Sequence, residues 1–228
     1  MGIHDGHRER LKKAFIENGL ESMNEIQALE LLLFFSVARR DTNELAHALL
    51  DRFGSLDEIF HATAEDLMEV PGVGEHTAVL LMLLPQIMKK SAISKANEIR
   101  QITSSRDAGK YLVPRFADEQ DEVMLMLCLD NKRSVLCCCE MSRGVVNAVN
   151  INTRKVVEKA LKVKASSVII AHNHPGGIAL PSREDDTVTK TLYNALEIVG
   201  IHLEDHIIVA DGDYVSLADT GMMHLYRY

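Results

Sequence analysis

The chain has 228 residues, of which 46% are hydrophobic and 25% are charged, and its formal net charge is −8. This composition suits a soluble protein with a sizeable core and room for one large domain or two small ones. No apolar run reaches the roughly 20 residues that a bilayer-spanning helix needs. The polar segment Met1–Lys13 does not resemble a secretory signal. We therefore expect neither a membrane protein nor a secreted one.

The four cysteines do not form the pattern of a disulfide framework. Three of them are consecutive, Cys137, Cys138 and Cys139, and no Cys-x-x-Cys pair occurs. Neighbouring residues on a strand point to opposite faces, so such a run is unsuited to mutual pairing. We expect small core thiols in a reducing compartment, and hence a cytoplasmic protein.

Residues 1–91 are predicted to be helical throughout. Leucines and alanines recur at helical spacing, as in Leu29, Leu32 and Leu33. The stretch Val70-Pro71-Gly72-Val73-Gly74, followed by an apolar helix, looks like a helix-hairpin-helix motif. In such a turn Gly72 and Gly74 would let backbone N–H groups approach a DNA phosphate at a helix N-terminus.

Two interpretations of this glycine turn stay open, namely DNA binding and simple helix packing. Acidic residues outnumber basic ones over residues 1–100, whereas DNA binding depends on clustered positive charge. The basic residues form only local patches, such as Arg8, Arg10, Lys12 and Lys13. DNA is therefore a candidate partner that the charge pattern supports weakly.

After residue 91 the pattern changes from helices to alternating strands and helices. Residues 92–105 are polar and lack clear periodicity, which is typical of a linker. Residues 106–228 are then predicted to form a second domain. A short helix near 108–116 precedes strands at 122–130, 133–140 and 145–151, a helix at 153–162, a strand running into His172, a helix at 183–199, and strands at 201–210 and 213–217. The predicted fold class is α+β, with an all-helical domain followed by a mixed sheet flanked by helices.

The most informative segment is the connection between the strand ending at His172 and the next helix. It reads His172-Asn173-His174-Pro175-Gly176-Gly177-Ile178-Ala179-Leu180-Pro181-Ser182-Arg183-Glu184-Asp185. His172 and His174 are two residues apart, so on an extended strand end they point to the same side. Asp185 falls in the first turn of the following helix. Three such groups can bind one zinc ion and leave a fourth position for water.

A purely structural interpretation of the same residues also exists. Ser182 and Asp185 are spaced like the two partners of a capping box, with Asp185 in place of the usual Glu or Gln. Pro181 and an acidic first turn suit a helix start without any metal. Because the histidine pair, the serine and the aspartate all occur in one connection, we favour the metal site.

The pattern His172-x-His174, seven residues, Ser182, two residues, Asp185 resembles the JAMM (MPN+) metalloprotease motif. The longer string is similar to that of the RadC family of bacterial JAMM-fold proteins. Other segments that resemble RadC sequences cover nearly the whole chain: Gly6–Leu11, Arg39–Asn43, Phe53–Leu56 and Asp205–Ile208. The chain departs from the family at Gly176, where a serine is usual, and at Arg143-Gly144-Val145, where a Gly-Thr step is usual.

This resemblance implies a zinc-dependent hydrolase of amide, peptide or isopeptide bonds, with Zn²⁺ held by His172, His174 and Asp185. It also implies a glutamate on an early strand that acts as general base toward the attacking water, and Glu122 matches that position. Glu140, at the end of the next predicted strand, is the competing candidate. Ser182 would donate a hydrogen bond to the developing oxyanion. That role competes with its use in the helix cap, unless the hydroxyl accepts one bond and donates another.

Further expectations concern His206, two alternative functions and the oligomeric state. His206 could support a metal ligand from the adjacent strand, although a hydrogen-bonded core histidine is the simpler interpretation. A DNA-associated binding protein with a structural or vestigial metal site is the alternative function, and a partner-binding scaffold without catalysis is a third. A homodimer is the default oligomeric state.

Overall fold

The structure is a computed structural model that describes residues 3–38, 40–144 and 152–227. The chain divides into two compact units, Met1–Met88 and Lys89–Tyr228. None of the helices in the described ranges is long and apolar enough to cross a membrane.

The N-terminal unit is built from helices, as the leucine spacing predicts. Their buried faces carry Leu29, Leu33, Leu49 and Leu81, each at most 1% exposed. Side-chain caps start several of these helices: Asn24 and Gln27, for example, form a reciprocal capping box. The helices are α1 (Ile3–Asn18), α2 (Glu25–Leu33), α3 (Asn43–Phe53), α4 (Leu56–His61), α5 (Ala64–Met68) and α6 (Glu75–Ala96), the last of which ends in the second unit.

The second unit contains a mixed five-stranded sheet, which confirms the predicted α+β class. Its strands are β1 (Val123–Leu129), β2 (Val135–Arg143), β3 (Ser167–Asn173), β4 (His202–Ala210) and β5 (Asp213–Ser216). The order of the strands in the described residues is β2-β1-β3-β4-β5, and among them only β3 and β4 run parallel. The helices are α7 (Ser105–Leu112), α8 (Thr153–Lys162) and α9 (Arg183–Ile198). The strand predicted at 145–151 lies outside the described residues.

The segment predicted as a linker, 92–105, carries more structure than its polar composition indicates. Its first residues complete α6, and Ile102 is fully buried. The amide of Ile102 donates to the carbonyl of Arg133, and the amide of Val135 donates to the carbonyl of Arg100. Residues 100–102 therefore lie alongside the start of β2, because a buried isoleucine side chain and two backbone bonds hold them there.

The sheet is covered on both faces, which explains why every residue of β1 and β3 is buried. On β1, Met124, Met126 and Cys128 face the core that α8 and α9 cover. The alternate residues of β1 face the core that α7 covers. On β3, Val168 and Ile170 share the α8–α9 face, so the two-residue period places His172 on that face. The end of β3 thus opens toward the start of α9.

Candidate metal centre

The carboxyl end of β3 supplies both predicted histidines. His172 is fully buried, between Met124 of β1 and Ile208 of β4 in the sheet register. The His174 amide continues the ladder by donating to the carbonyl of Val209. The Nδ1 atom of His174 lies 3.1 Å from the carbonyl oxygen of Ile178. The other ring nitrogen of His174, Nε2, faces His172, and the Nε2 atoms of the two residues lie 2.9 Å apart.

The start of α9 supplies Asp185. As predicted, Ser182 and Asp185 form a capping box: the Asp185 amide donates to Ser182 Oγ, and Asp185 Oδ2 accepts from the Ser182 amide and hydroxyl. The other oxygen, Oδ1, lies 2.9 Å from His172 Nε2. Burial raises the pKa of Asp185. Its hydrogen bond with His172, the charge of His172 and the hydrogen bonds from Ser182 together have a larger effect, and they hold the pKa of Asp185 well below its usual value.

The facing donor atoms of His172, His174 and Asp185 are close together, and two of the three separations are shorter than those in a tetrahedral zinc site. Their separations are 2.9 Å, 2.9 Å and, between His174 Nε2 and Asp185 Oδ2, 3.4 Å. Zinc–ligand bonds of about 2.0–2.2 Å in a tetrahedron place neighbouring donors about 3.3–3.6 Å apart. Two imidazoles and a carboxylate are a donor set that zinc prefers, so these residues fit the ion by their chemistry.

Glu122 lies beside the same cluster. It precedes β1, and its carboxylate and the ring nitrogens of His172 and His174 lie within 4.8 Å of one another. Glu122, His172 and His174 are therefore a second conceivable ligand set. The Asp185 oxygens lie 2.9 Å from His172 Nε2 and 3.4 Å from His174 Nε2, so Asp185 belongs to the same cluster. The competing glutamate, Glu140, instead pairs with Arg143 on β2.

Asn173, to which no role is assigned above, positions the backbone around Glu122. Its Oδ1 accepts from the Val123 amide at 2.7 Å, and its Nδ2 donates to the Asp121 carbonyl at 2.9 Å. These two bonds flank Glu122 on either side. The signal for this role in the sequence is only that Asn173 stands between the two histidines.

A chain of polar contacts leads away from His172 on the buried side. His172 Nδ1 lies 2.8 Å from His206 Nε2, and His206 Nδ1 lies 2.6 Å from Thr189 Oγ1. Burial, together with the charge of His172, lowers the pKa of His206 well below its ordinary value. His206 is thus a hydrogen-bonded core histidine that also contacts His172, one of the predicted ligands. Thr189 was not singled out by the sequence, although it follows Asp185 by one helical turn.

The glycine turn of the N-terminal unit joins α5 to α6. Gly72 has a φ of +102°, a conformation that favours glycine, and the Val73 amide donates to the Val70 carbonyl. Gly72 and Gly74 are both exposed. The first turn of α6 carries an acidic residue, Glu75, which opposes the approach of a phosphate.

Comparison with known proteins gives a match for each half of the chain. Residues 102–222 match the family described as RadC-like JAB domain, and residues 42–83 match the SAM-like helix-hairpin-helix tandem. A UPF0758 protein from Nitrosococcus oceani is 33% identical over 221 residues, covering 97% of each chain. One from Ruegeria pomeroyi is 34% identical over 218 residues, covering 95% of this chain and 97% of its own. One from Fusobacterium nucleatum is 32% identical over 227 residues, covering 96% and 98%.

Proposed function

Because this chain belongs to the RadC family, with a RadC-like JAB domain and a helix-hairpin-helix region, we propose that it is a zinc-dependent hydrolase of amide, peptide or isopeptide bonds. The observation that carries the proposal is the convergence of two imidazoles and two carboxylates at the end of β3. In this proposal His172, His174 and Asp185 hold the zinc, and Glu122 stays beside it. A zinc ion in such a site polarises a scissile carbonyl and lowers the pKa of a bound water toward about 7.

Glu122 acts as the general base. Its carboxylate takes a proton from the attacking water and returns it to the leaving amine. The half-buried position of Glu122 suits this exchange, because the group stays accessible to substrate while Asn173 fixes its backbone. A site that served only structure would have no need for this fourth group.

Ser182 donates to the developing oxyanion. Its hydroxyl has one proton, which Asp185 Oδ2 accepts at 2.7 Å in the structure. Turning that proton toward a substrate leaves Asp185 Oδ2 with its bond from the Ser182 amide, also 2.7 Å. The Asp185 amide can continue to donate to Ser182 Oγ. The cap and the oxyanion role are therefore compatible, because the Ser182 backbone keeps Asp185 in place.

The first experiment is zinc content per chain by elemental analysis for wild type, His174→Ala, Glu122→Gln and His202→Ala. His202 is the control, because it is exposed and pairs with Glu197 away from the cluster. We expect about one zinc in wild type, Glu122→Gln and His202→Ala, and loss of zinc in His174→Ala.

Hydrolysis is then screened with fluorogenic peptides and lysine-linked isopeptides. We expect Glu122→Gln to keep its zinc and to lose cleavage about 100-fold or more, because a positioned general base contributes about 10²–10⁴. A zinc-free wild type that takes up no added zinc would refute the proposal. Equal cleavage by wild type and Glu122→Gln would remove Glu122 from the mechanism.

The helix-hairpin-helix match supports a second candidate function, association with DNA through the turn at Gly72 and Gly74. The acidic balance of this half and Glu75 in the first turn weigh against strong binding. Titration of duplex DNA at increasing salt tests this function. Binding at low salt that falls steeply at moderate salt is expected for phosphate contacts, and no binding at low salt would reject them.

A further inference from the structure

Three side chains behind the metal centre have contacts that determine where their protons lie. They are His172 and His206, on neighbouring parallel strands, and Thr189 on α9, and each is fully buried. We propose that Thr189 and His206 are positioning residues that hold the His172 ring in the tautomer with a free Nε2 electron pair. The proposal rests on the proposed metal site and adds to it the groups that prepare one ligand.

The first step is the direction of the Thr189 hydroxyl. Thr189 Oγ1 lies 2.5 Å from the Asp185 carbonyl oxygen and 2.6 Å from His206 Nδ1. A carbonyl oxygen only accepts, and two oxygens this close need a proton between them. The Thr189 proton therefore points at the Asp185 carbonyl. Thr189 Oγ1 offers electron pairs to His206, so His206 Nδ1 must carry the proton of their contact.

The second step follows from the neutral imidazole. A neutral ring has one N–H and one acceptor nitrogen, so protonation at Nδ1 leaves His206 Nε2 as an acceptor. His172 Nδ1 lies 2.8 Å from it and donates. When zinc replaces the proton between His172 Nε2 and Asp185 Oδ1, which lie 2.9 Å apart, the His172 ring is neutral and its Nε2 presents its electron pair to the ion.

The contacts of Thr189, His206 and His172 form a hydrogen-bond relay that begins and ends on one residue, Asp185. The Asp185 carbonyl receives the first proton of the chain, and the Asp185 carboxylate faces the nitrogen that the chain leaves free. The start of α9 therefore positions one ligand directly and selects the tautomer of another. Ligating histidines commonly donate their second N–H to a protein group, and loss of such a group costs about 10–100-fold in metal affinity.

The test compares Thr189→Val with Thr189→Ser. Valine keeps the shape of threonine but removes the hydroxyl, and serine keeps the hydroxyl. Without an acceptor for Nδ1, His206 is free to carry its proton on Nε2 and donate to His172, which would place the His172 proton on the metal-facing nitrogen. We expect zinc affinity, measured by competition with a chelator, to fall about 10–100-fold in Thr189→Val and to change only a few-fold in Thr189→Ser.

A second readout does not depend on a variant folding. Long-range ¹⁵N–¹H NMR of the wild type, metal-free and zinc-loaded, reports which ring nitrogens carry protons. We expect His206 to be protonated at Nδ1 in both forms, and His172 at Nδ1 in the zinc form. A proton on His206 Nε2, or equal zinc affinity in wild type and Thr189→Val, would overturn the relay alone. Failure of wild type to bind zinc would instead overturn the proposed function, and with it the purpose of the relay.

Discussion

The side-chain amide of Asn173 bonds to the residues on both sides of Glu122, and the structure lets us work out how much stability these bonds contribute. Asn173 is 4% exposed, and its amide accepts from the Val123 amide and donates to the Asp121 carbonyl. Asn173→Ala removes both bonds and leaves the Val123 N–H buried, since Val123 is 3% exposed. An orphaned buried donor costs about 1–3 kcal/mol, and the second bond contributes about 0.5–1.5 kcal/mol. We expect the free energy of unfolding to fall by about 2–4 kcal/mol.

Urea unfolding measures this loss, and hydrogen exchange at the Val123 amide locates it. The matched control is Asn152→Ala, which removes a helix N-cap on α8 where Asn152 Oδ1 accepts from the Lys155 amide. That control should cost about 1 kcal/mol and leave exchange at Val123 unchanged. Zinc affinity of Asn173→Ala should stay close to that of wild type, because the three proposed ligands remain, while cleavage falls with the position of Glu122. A loss below about 0.5 kcal/mol with unchanged Val123 exchange would refute the reasoning.

Two further predictions concern packing and charge away from the metal centre. A Cβ at Gly109 would lie 2.4 Å from two ring atoms of Tyr214, so Gly109→Ala should destabilise the protein by about 1–3 kcal/mol despite the better helix propensity of alanine. In a Tyr214→Ala background the same change should be neutral or stabilising, and an unchanged cost on urea unfolding would contradict the clash. Burial raises the pKa of Glu119, but bonds from Arg143 and Lys89 outweigh it and lower the pKa below 4.5. Glu119→Gln should therefore lose stability at neutral pH, and the difference from wild type should shrink as pH falls below 4.5, which unfolding at several pH values checks.

Features encoded within one short stretch of sequence could be predicted. The apolar runs of β1 and β3 indicate strands because both faces of each strand are buried. The start of α9 is encoded locally, since Ser182 and Asp185 satisfy each other across three residues. His172 and His174 need only the two-residue period of a strand to point the same way. The proposed ligands therefore follow from local rules.

Features that depend on contacts between distant segments could not be predicted in the same way. Asn173 reaches Val123 across 50 residues, and only the pairing of β1 with β3 brings them together. The sequence indicates His206 as a neighbour of the site, but its contact with His172 depends on the parallel register of β3 and β4. Within residues 92–105, which are polar overall, Ile102 is fully buried and its amide donates to the carbonyl of Arg133. In each case the deciding contact lies outside any local window of sequence.

The two interpretations of Asp185, as helix cap and as metal ligand, turn out to use different atoms of one carboxylate. Oδ2 accepts both bonds from Ser182, whereas Oδ1 points at His172 Nε2. The cap therefore limits the rotation of the carboxylate and aims its second oxygen at the cluster. A ligand held in this way loses little side-chain freedom when it binds a metal, since its ordering has already occurred on folding. The structural role of the capping box thus supports the proposed metal site, because the cap orients the oxygen that the metal would bind.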